Sequence, residues 1–133
     1  MKTQKLLCNA DCYEKTLVTA AELLKNGGIV AIPTETVYGL AASAYDDNAI
    51  KKVFEAKGRP QDNPLIVHIC DMEMLSRVAE NIPDSAYECA KNFWPGPFTM
   101  VLPSNGNVAD EVSAGLSTVA VRMPSHRTAT EII

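Results

Sequence analysis

The amino-acid pattern predicts an α/β fold, because segments with helical spacing alternate with short apolar runs of strand character. Three observations carry this. A helix-period stretch closes on Gly27-Gly28 and leads into Ile29-Val30-Ala31-Ile32. A second closes on Gly58 and is followed by Leu65-Ile66-Val67-His68-Ile69. Thr118-Val119-Ala120-Val121-Arg122-Met123 then alternates with the two-residue period of a strand. The 133 residues fit one domain, 1–133, long enough to bury a core.

Taken in order, Lys5 to Cys8 is a short apolar patch expected to form a first strand. Asp11-Cys12-Tyr13-Glu14 resembles a capping box with Asp as the cap. Tyr13, Leu17, Ala20, Ala21 and Leu24 follow at helical spacing, a helix of about three and a half turns. The β-branched run Ile29 to Ile32 predicts a strand buried on both faces, closed by Pro33. The Gly pair stands between helix and strand, the reverse of the order that a dinucleotide fingerprint or a P-loop requires. Thr34-Glu35-Thr36-Val37-Tyr38-Gly39-Leu40 is then a polar turn after a buried strand, where open α/β sheets place ligand contacts.

Asp46, Asp47 or Asn48 caps a second helix in which Ile50, Val53, Phe54 and Lys57 share a face. It runs into Lys57-Gly58-Arg59-Pro60-Gln61-Asp62-Asn63-Pro64-Leu65, which sets two cations and an amide between rigid prolines. Gly58 suits a left-handed helix stop, and each proline restricts the residue before it, so the loop is stiff and built to grip an anion. Lys and Arg also suit the carbonyl end of any helix. Spacing alone leaves both readings open.

On the strand 65–69, Leu65, Val67 and Ile69 face one way and Ile66, His68 and Cys70 the other. His68 is either a satisfied core histidine or a ligand contact. Residues 71–93 read as helical with a fresh start at Pro83-Asp84 and with Ala86, Ala90 and Phe93 on one face. Trp94-Pro95-Gly96-Pro97 predicts a type II turn with the Trp as a packing anchor, Thr99 to Pro103 a strand, and Ser104 to Asn107 a turn. Thr118, Ala120 and Arg122 share a strand face, with Thr118 and Arg122 about 13 Å apart, which fits either two ends of one ligand or a solvated stripe. Thr128-Ala129-Thr130-Glu131 is a capping box with only Ile132-Ile133 beyond it, which reads as a helix cut after one turn.

A net charge of -4 argues against a protein that binds nucleic acid by neutralising phosphates over its whole surface, leaving room for a local basic groove. No apolar run has the length of a membrane span, and Met1 to Lys5 leads into too short a patch for a signal peptide, so a cytoplasmic location is expected. Cys8, Cys12, Cys70 and Cys89 lack C-x-x-C spacing, and the only histidines are His68 and His126. The pattern therefore predicts no metal site, and four reduced cysteines acting as small apolar residues in or near the core.

From about Ala20 to Ile133 the chain resembles the YrdC/Sua5 family, the threonylcarbamoyl-AMP synthases. The residues that carry the resemblance are Pro33 to Leu40, Lys57-Gly58-Arg59-Pro60 with Asn63-Pro64-Leu65, Trp94-Pro95-Gly96-Pro97-Phe98-Thr99, and Val119-Ala120-Val121-Arg122-Met123-Pro124, in the family's order and spacing. Phe98 stands where family members usually carry Leu. The resemblance implies a twisted, mixed, open sheet flanked by helices. It implies a nucleotidyltransferase that combines L-threonine, bicarbonate and ATP, with Mg2+ brought by the nucleotide, into threonylcarbamoyl-AMP and pyrophosphate. That product is the precursor of the modification at adenosine 37 of ANN-decoding tRNAs, so the downstream partners implied are a threonylcarbamoyl-transferase complex and tRNA.

Position by position, the resemblance assigns Thr36, His68 and Arg122 to L-threonine and Lys57, Arg59, Asn63 and Thr118 to ATP, with Lys57 and Arg59 acting on the phosphates. Family members continue with an S-x-N-x-S-G segment and more sheet, so the resemblance also implies a domain incomplete at its C-terminus, with a weakened nucleotide side and a tendency to self-associate. Two alternatives stand beside it: the carbamate-adenylating domain of a hydrogenase-maturation carbamoyltransferase, and a regulatory module of the same fold that binds double-stranded RNA.

Overall fold

The computed structural model describes residues 3–133. Met1 and Lys2, where the reading against a signal peptide begins, lie outside the described residues. The elements run α1 (Tyr13–Lys25), β1 (Val30–Ile32), β2 (Gly39–Ala41), α2 (Asp47–Lys57), β3 (Ile66–His68), α3 (Met72–Val78), α4 (Asp84–Phe93), β4 (Thr99–Pro103), α5 (Asp110–Ser113), β5 (Thr118–Arg122) and α6 (Arg127–Ile132).

The expected mixed α/β arrangement is present, with its strands divided between two small sheets. β1 and β2 pair antiparallel, and β3-β5-β4 form a mixed sheet in which β5 runs parallel to β3 and antiparallel to β4. Alternation along β5 decides which way its side chains point: Val119 and Val121 are buried in the main core, while Thr118, Ala120 and Arg122 lie half-buried on the opposite face. Val67, Ile69, Phe54, Leu75 and Val78 complete the centre of that core. A second, smaller cluster joins Ala20 of α1, Ile32 of β1, and Ala129 and Ile132 of α6.

Asp46 caps α2, its side chain accepting from Asn48 N–H at 2.9 Å and Ala49 N–H at 3.1 Å. Gly58 ends the helix at φ +59, and Arg59 N–H returns to the Phe54 carbonyl at 3.1 Å. The expected stripe of Ile50, Val53 and Phe54 is buried, whereas Lys57 is exposed at the helix end. The expected face assignments of Val67, His68 and Ile69, the restart at Asp84, and the bounds of β4 all hold.

Other expectations are corrected. Lys5 to Cys8 form no strand, because the Leu7 carbonyl accepts from the Thr16 hydroxyl at 2.6 Å and the Cys12 thiol at 3.1 Å rather than from a neighbouring strand. Cys12, not Asp11, stands at the cap position of α1 and makes no side-chain cap; Asn9 Oδ1 accepts from Cys12 N–H at 3.2 Å. β1 is not buried on both faces: in a two-stranded sheet only one face meets helices, and Ala31 is exposed.

Phe93 is 55% exposed and stacks on Phe98, with ring centroids 4.9 Å apart, instead of joining Ala86 and Ala90 in the core. Trp94 is the expected anchor, buried, with Nε1–H donating to the Phe98 carbonyl at 2.6 Å. The Trp94–Pro95 bond is cis, and Gly96 lacks the positive φ that a type II turn requires. α6 is capped by His126, whose Nδ1 accepts from Thr128 N–H at 3.2 Å. Thr128 therefore lies inside the first turn, buried and bonded to the Tyr13 hydroxyl at 3.2 Å. The four cysteines are unpaired as expected, but Cys8 is exposed and only Cys89 packs on the main core. No helix among the described residues is long and apolar enough to cross a membrane.

Candidate ligand-binding site

A cavity of about 440 Å³ lies between the two sheets, floored by apolar residues of β2, α2 and β3 and rimmed by Thr34, Lys57, Arg59 and His68. Local sequence explains how the cations reach it. The helical period of α2 ends with Lys57 at the rim, the left-handed Gly58 turns the chain, and Pro60 and Pro64 hold the loop that carries Arg59 back across the opening.

Arg59 is half-buried. Its Nη2 donates to the Pro64 carbonyl at a long 3.4 Å, and its Nε–H is buried without a protein partner. A buried charged donor left unsatisfied costs the fold free energy, so it is a group suited to receiving an anion. Among the described residues the ion pairs are Lys51–Glu111, Arg77–Glu73 and Arg127–Glu131, and neither Lys57 nor Arg59 belongs to one.

His68 links the cavity to the open face of the mixed sheet. It lines the cavity and is also the register partner of Arg122 on β5, which in turn faces Thr99 on β4. Burial holds the imidazole below its ordinary range. The Ile66 carbonyl, 3.3 Å from Nδ1, opposes that, the Arg122 charge adds to it, and the Glu35 charge opposes it more weakly. At neutral pH the ring is therefore uncharged. With Nδ1–H directed at the Ile66 carbonyl, Nε2 is left as an acceptor.

The predicted residues are not all drawn together. Lys57, Arg59 and His68 line one cavity, and Arg122 stands next to His68 across β3 and β5. Thr36 is exposed on the turn before β2, its hydroxyl 3.2 Å from that of Thr34. Asn63 is exposed in the proline loop, and Thr118 sits at the far end of β5 opposite Pro103. Neither lines the cavity.

Two polar groups in the quoted motifs received no role from sequence. Glu35 has one oxygen, Oε2, accepting from Ser125 N–H at 3.3 Å, and the other, Oε1, buried and unpartnered. Thr99 Oγ1 accepts from Arg122 Nε–H at 2.8 Å. Finding Thr99 needed the pairing of β4 with β5, and finding Glu35 needed its contact with Ser125 far along the chain, although a Glu between two Thr in a polar turn was a visible signal.

Fold and site define an α/β module with a cavity between its two small sheets, edged by Lys57 and Arg59, which belong to none of the ion pairs among the described residues. The model of the Sua5/YciO/YrdC family, described as telomere recombination, matches residues 22–133, and the chain belongs to that family. It is 55% identical over 114 residues to the threonylcarbamoyl-AMP synthase of Pyrococcus abyssi, covering 86% of this chain and 34% of that one. With the Bacillus subtilis threonylcarbamoyl-AMP synthase it is 49% identical over 118 residues, covering 88% and 34%. The structure of P. abyssi Sua5 complexed with L-threonine matches with a TM-score of 0.88 at 53% identity, over 90% of this chain and 35% of that one. The chain thus spans about a third of the length of these relatives.

Proposed function

We propose that this chain carries the threonine- and nucleotide-handling part of an L-threonylcarbamoyladenylate synthase, a cytoplasmic nucleotidyltransferase that acts on L-threonine, bicarbonate and ATP. The observation that carries the reading is its 53% identity, at a TM-score of 0.88, to a structure that holds L-threonine. Under it, Thr36, His68 and Arg122 receive threonine: Arg122 offers a planar fork to the carboxylate, and neutral His68 offers Nε2 to a hydroxyl or amine without adding a second positive charge.

Lys57 and Arg59, with Asn63 and Thr118, receive ATP. In the reaction a carbamate oxygen bonds to the α-phosphorus as the bond to pyrophosphate breaks, so charge grows on phosphate oxygens and cations matter more than a strong base. Lys57 and the unpartnered Nε–H of Arg59 are the groups suited to that charge. Among the described residues no cluster of His, Cys, Asp and Glu could hold a metal ion, so in this reading Mg2+ comes with the nucleotide. The product would pass to a threonylcarbamoyl-transferase complex and tRNA.

The relatives at 55% and 49% identity favour this over the carbamoyltransferase and RNA-binding alternatives. The test is pyrophosphate release that requires threonine, bicarbonate and ATP together. Release that ignores threonine would overturn the reading, and a steep loss of RNA affinity with salt, in place of ATP binding, would favour the RNA module.

A further inference from the structure

Thr99 and Arg122 are register partners on β4 and β5, both half-buried on the open face of the mixed sheet. Their one side-chain hydrogen bond runs from Arg122 Nε–H to Thr99 Oγ1 at 2.8 Å. A guanidinium has two edges on which a carboxylate can bind with both oxygens: side-on through Nε–H and one Nη, or end-on through the two Nη groups. With Nε–H committed to Thr99, the side-on edge is closed and the end-on edge is left.

Arg122 is in none of the ion pairs among the described residues, so its charge is oriented but not neutralised. A hydroxyl suits this task better than a carboxylate would: Asp at the same place would fix Nε and also cancel the charge that the ligand needs. On the same face Ala120 is small and Val101, which follows Thr99, is 66% exposed, while His68 of β3 is the other register partner of Arg122.

We propose that Thr99 is a positioning residue: it fixes Arg122 so that the end-on edge of the guanidinium receives the carboxylate of the bound amino acid. The inference rests on the assignment of Arg122 to threonine under the proposed function. Thr99→Val keeps the shape and strand preference of the side chain and removes the acceptor, and Thr99→Ser keeps the acceptor.

Calorimetric titration of the parent and both variants with L-threonine, with L-threoninamide, which lacks the carboxylate, and with ATP reads the role directly. Thr99→Val should bind L-threonine about tenfold more weakly, the effect of misplacing one charge-assisted contact, with Thr99→Ser within about twofold of the parent. ATP affinity, and the weak affinity for the amide, should not change. Unaltered threonine affinity in Thr99→Val overturns the positioning role and leaves the proposed function standing. An equal loss for threonine, amide and ATP, or the same loss in Thr99→Ser, means a general structural role and also overturns it. A parent chain that binds ATP but no L-threonine overturns the positioning role together with the threonine assignment beneath it. Should Thr99→Val not fold, Thr99→Ala is judged by the same outcomes.

Discussion

Arg59 carries a buried Nε–H without a protein partner at the rim of the cavity, an unsatisfied donor that costs local stability and that the proposed function assigns to an ATP phosphate. Arg59→Ala should weaken ATP binding about tenfold or more while the far-ultraviolet circular dichroism stays that of the parent. Unchanged nucleotide affinity would remove Arg59 from the phosphate site. Arg122→Lys keeps the charge and loses the fork, so threonine affinity should fall although the net charge does not change. Parity of the two proteins in threonine titration would sink that assignment.

His68 gives a pH dependence whose sign is fixed by its environment. Burial, the largest influence, lowers its pKa in the folded chain below the ordinary 6.5. Between that lowered value and 6.5 the unfolded chain binds a proton that the folded chain does not, so stability is fully present above 6.5 and declines as pH falls through the window. His68→Gln should flatten that part of the profile, seen as a smaller drop in Tm on acidification. A variant that loses Tm as steeply as the parent would place the coupling elsewhere.

α2 shows how much of an element is legible in sequence alone. Its start among Asp46, Asp47 and Asn48, its buried stripe and its stop at Gly58 all follow from capping chemistry and a 3.6-residue period, which are local. The differences at α1 and α6 are local as well. At α6 His126 supplies the acceptor from just outside the span where capping by Thr128 is expected, and at α1 the chain turns through Asn9, whose Oδ1 holds the Cys12 N–H, so that Asp11 falls short of the cap position and the helix starts without a side-chain cap. α5 is invisible to a pattern reading, since four residues give no periodicity to read.

Asp46 also packs beside the turn before β1: a Cβ on Gly27, which has φ +71, would lie 2.8 Å from Asp46 Oδ2. Lys52 Nζ reaches the Gly27 carbonyl at 2.6 Å. Asp46→Ala should therefore cost about 1 kcal/mol from the lost cap, read as a lower denaturation midpoint, with Asp46→Asn losing less. Equal stability of the Ala variant and the parent would show that the cap is not needed.

At the scale of the whole molecule, the pairing of β5 between β3 and β4 is the part that sequence conceals. The motifs are readable one by one, yet the row His68–Arg122–Thr99 exists only once three strands are in register, and nothing local specifies that register. The same topology predicts unequal stability across the chain. β5 is central in its sheet and places Val119 and Val121 in the main core, which gathers residues from α2, β3, α3, α4, β4 and α5. The smaller cluster holds together α1, β1 and α6 through four buried residues, Ala20, Ile32, Ala129 and Ile132, with Leu6, Leu17, Leu24, Val30 and Ala41 only partly buried against it, so it removes less apolar surface from water than the main core does. α6 is a six-residue helix, too short to persist by itself, and its attachments beyond that cluster are a few polar contacts, among them the Tyr13–Thr128 hydroxyl pair, the Thr130 hydroxyl on the Pro124 carbonyl at 3.2 Å and the Arg127 guanidinium 4.9 Å from the Tyr13 ring centroid. Local opening should therefore begin where the least apolar area is buried. Hydrogen exchange in the native state should show the amides of α6 and β1 exchanging faster than those of β5, and Ile132→Ala should accelerate α6 and β1 while leaving β5 nearly unchanged. Protection of α6 equal to that of β5, or uniform acceleration of all three by Ile132→Ala, would mean that the two clusters open as one cooperative unit.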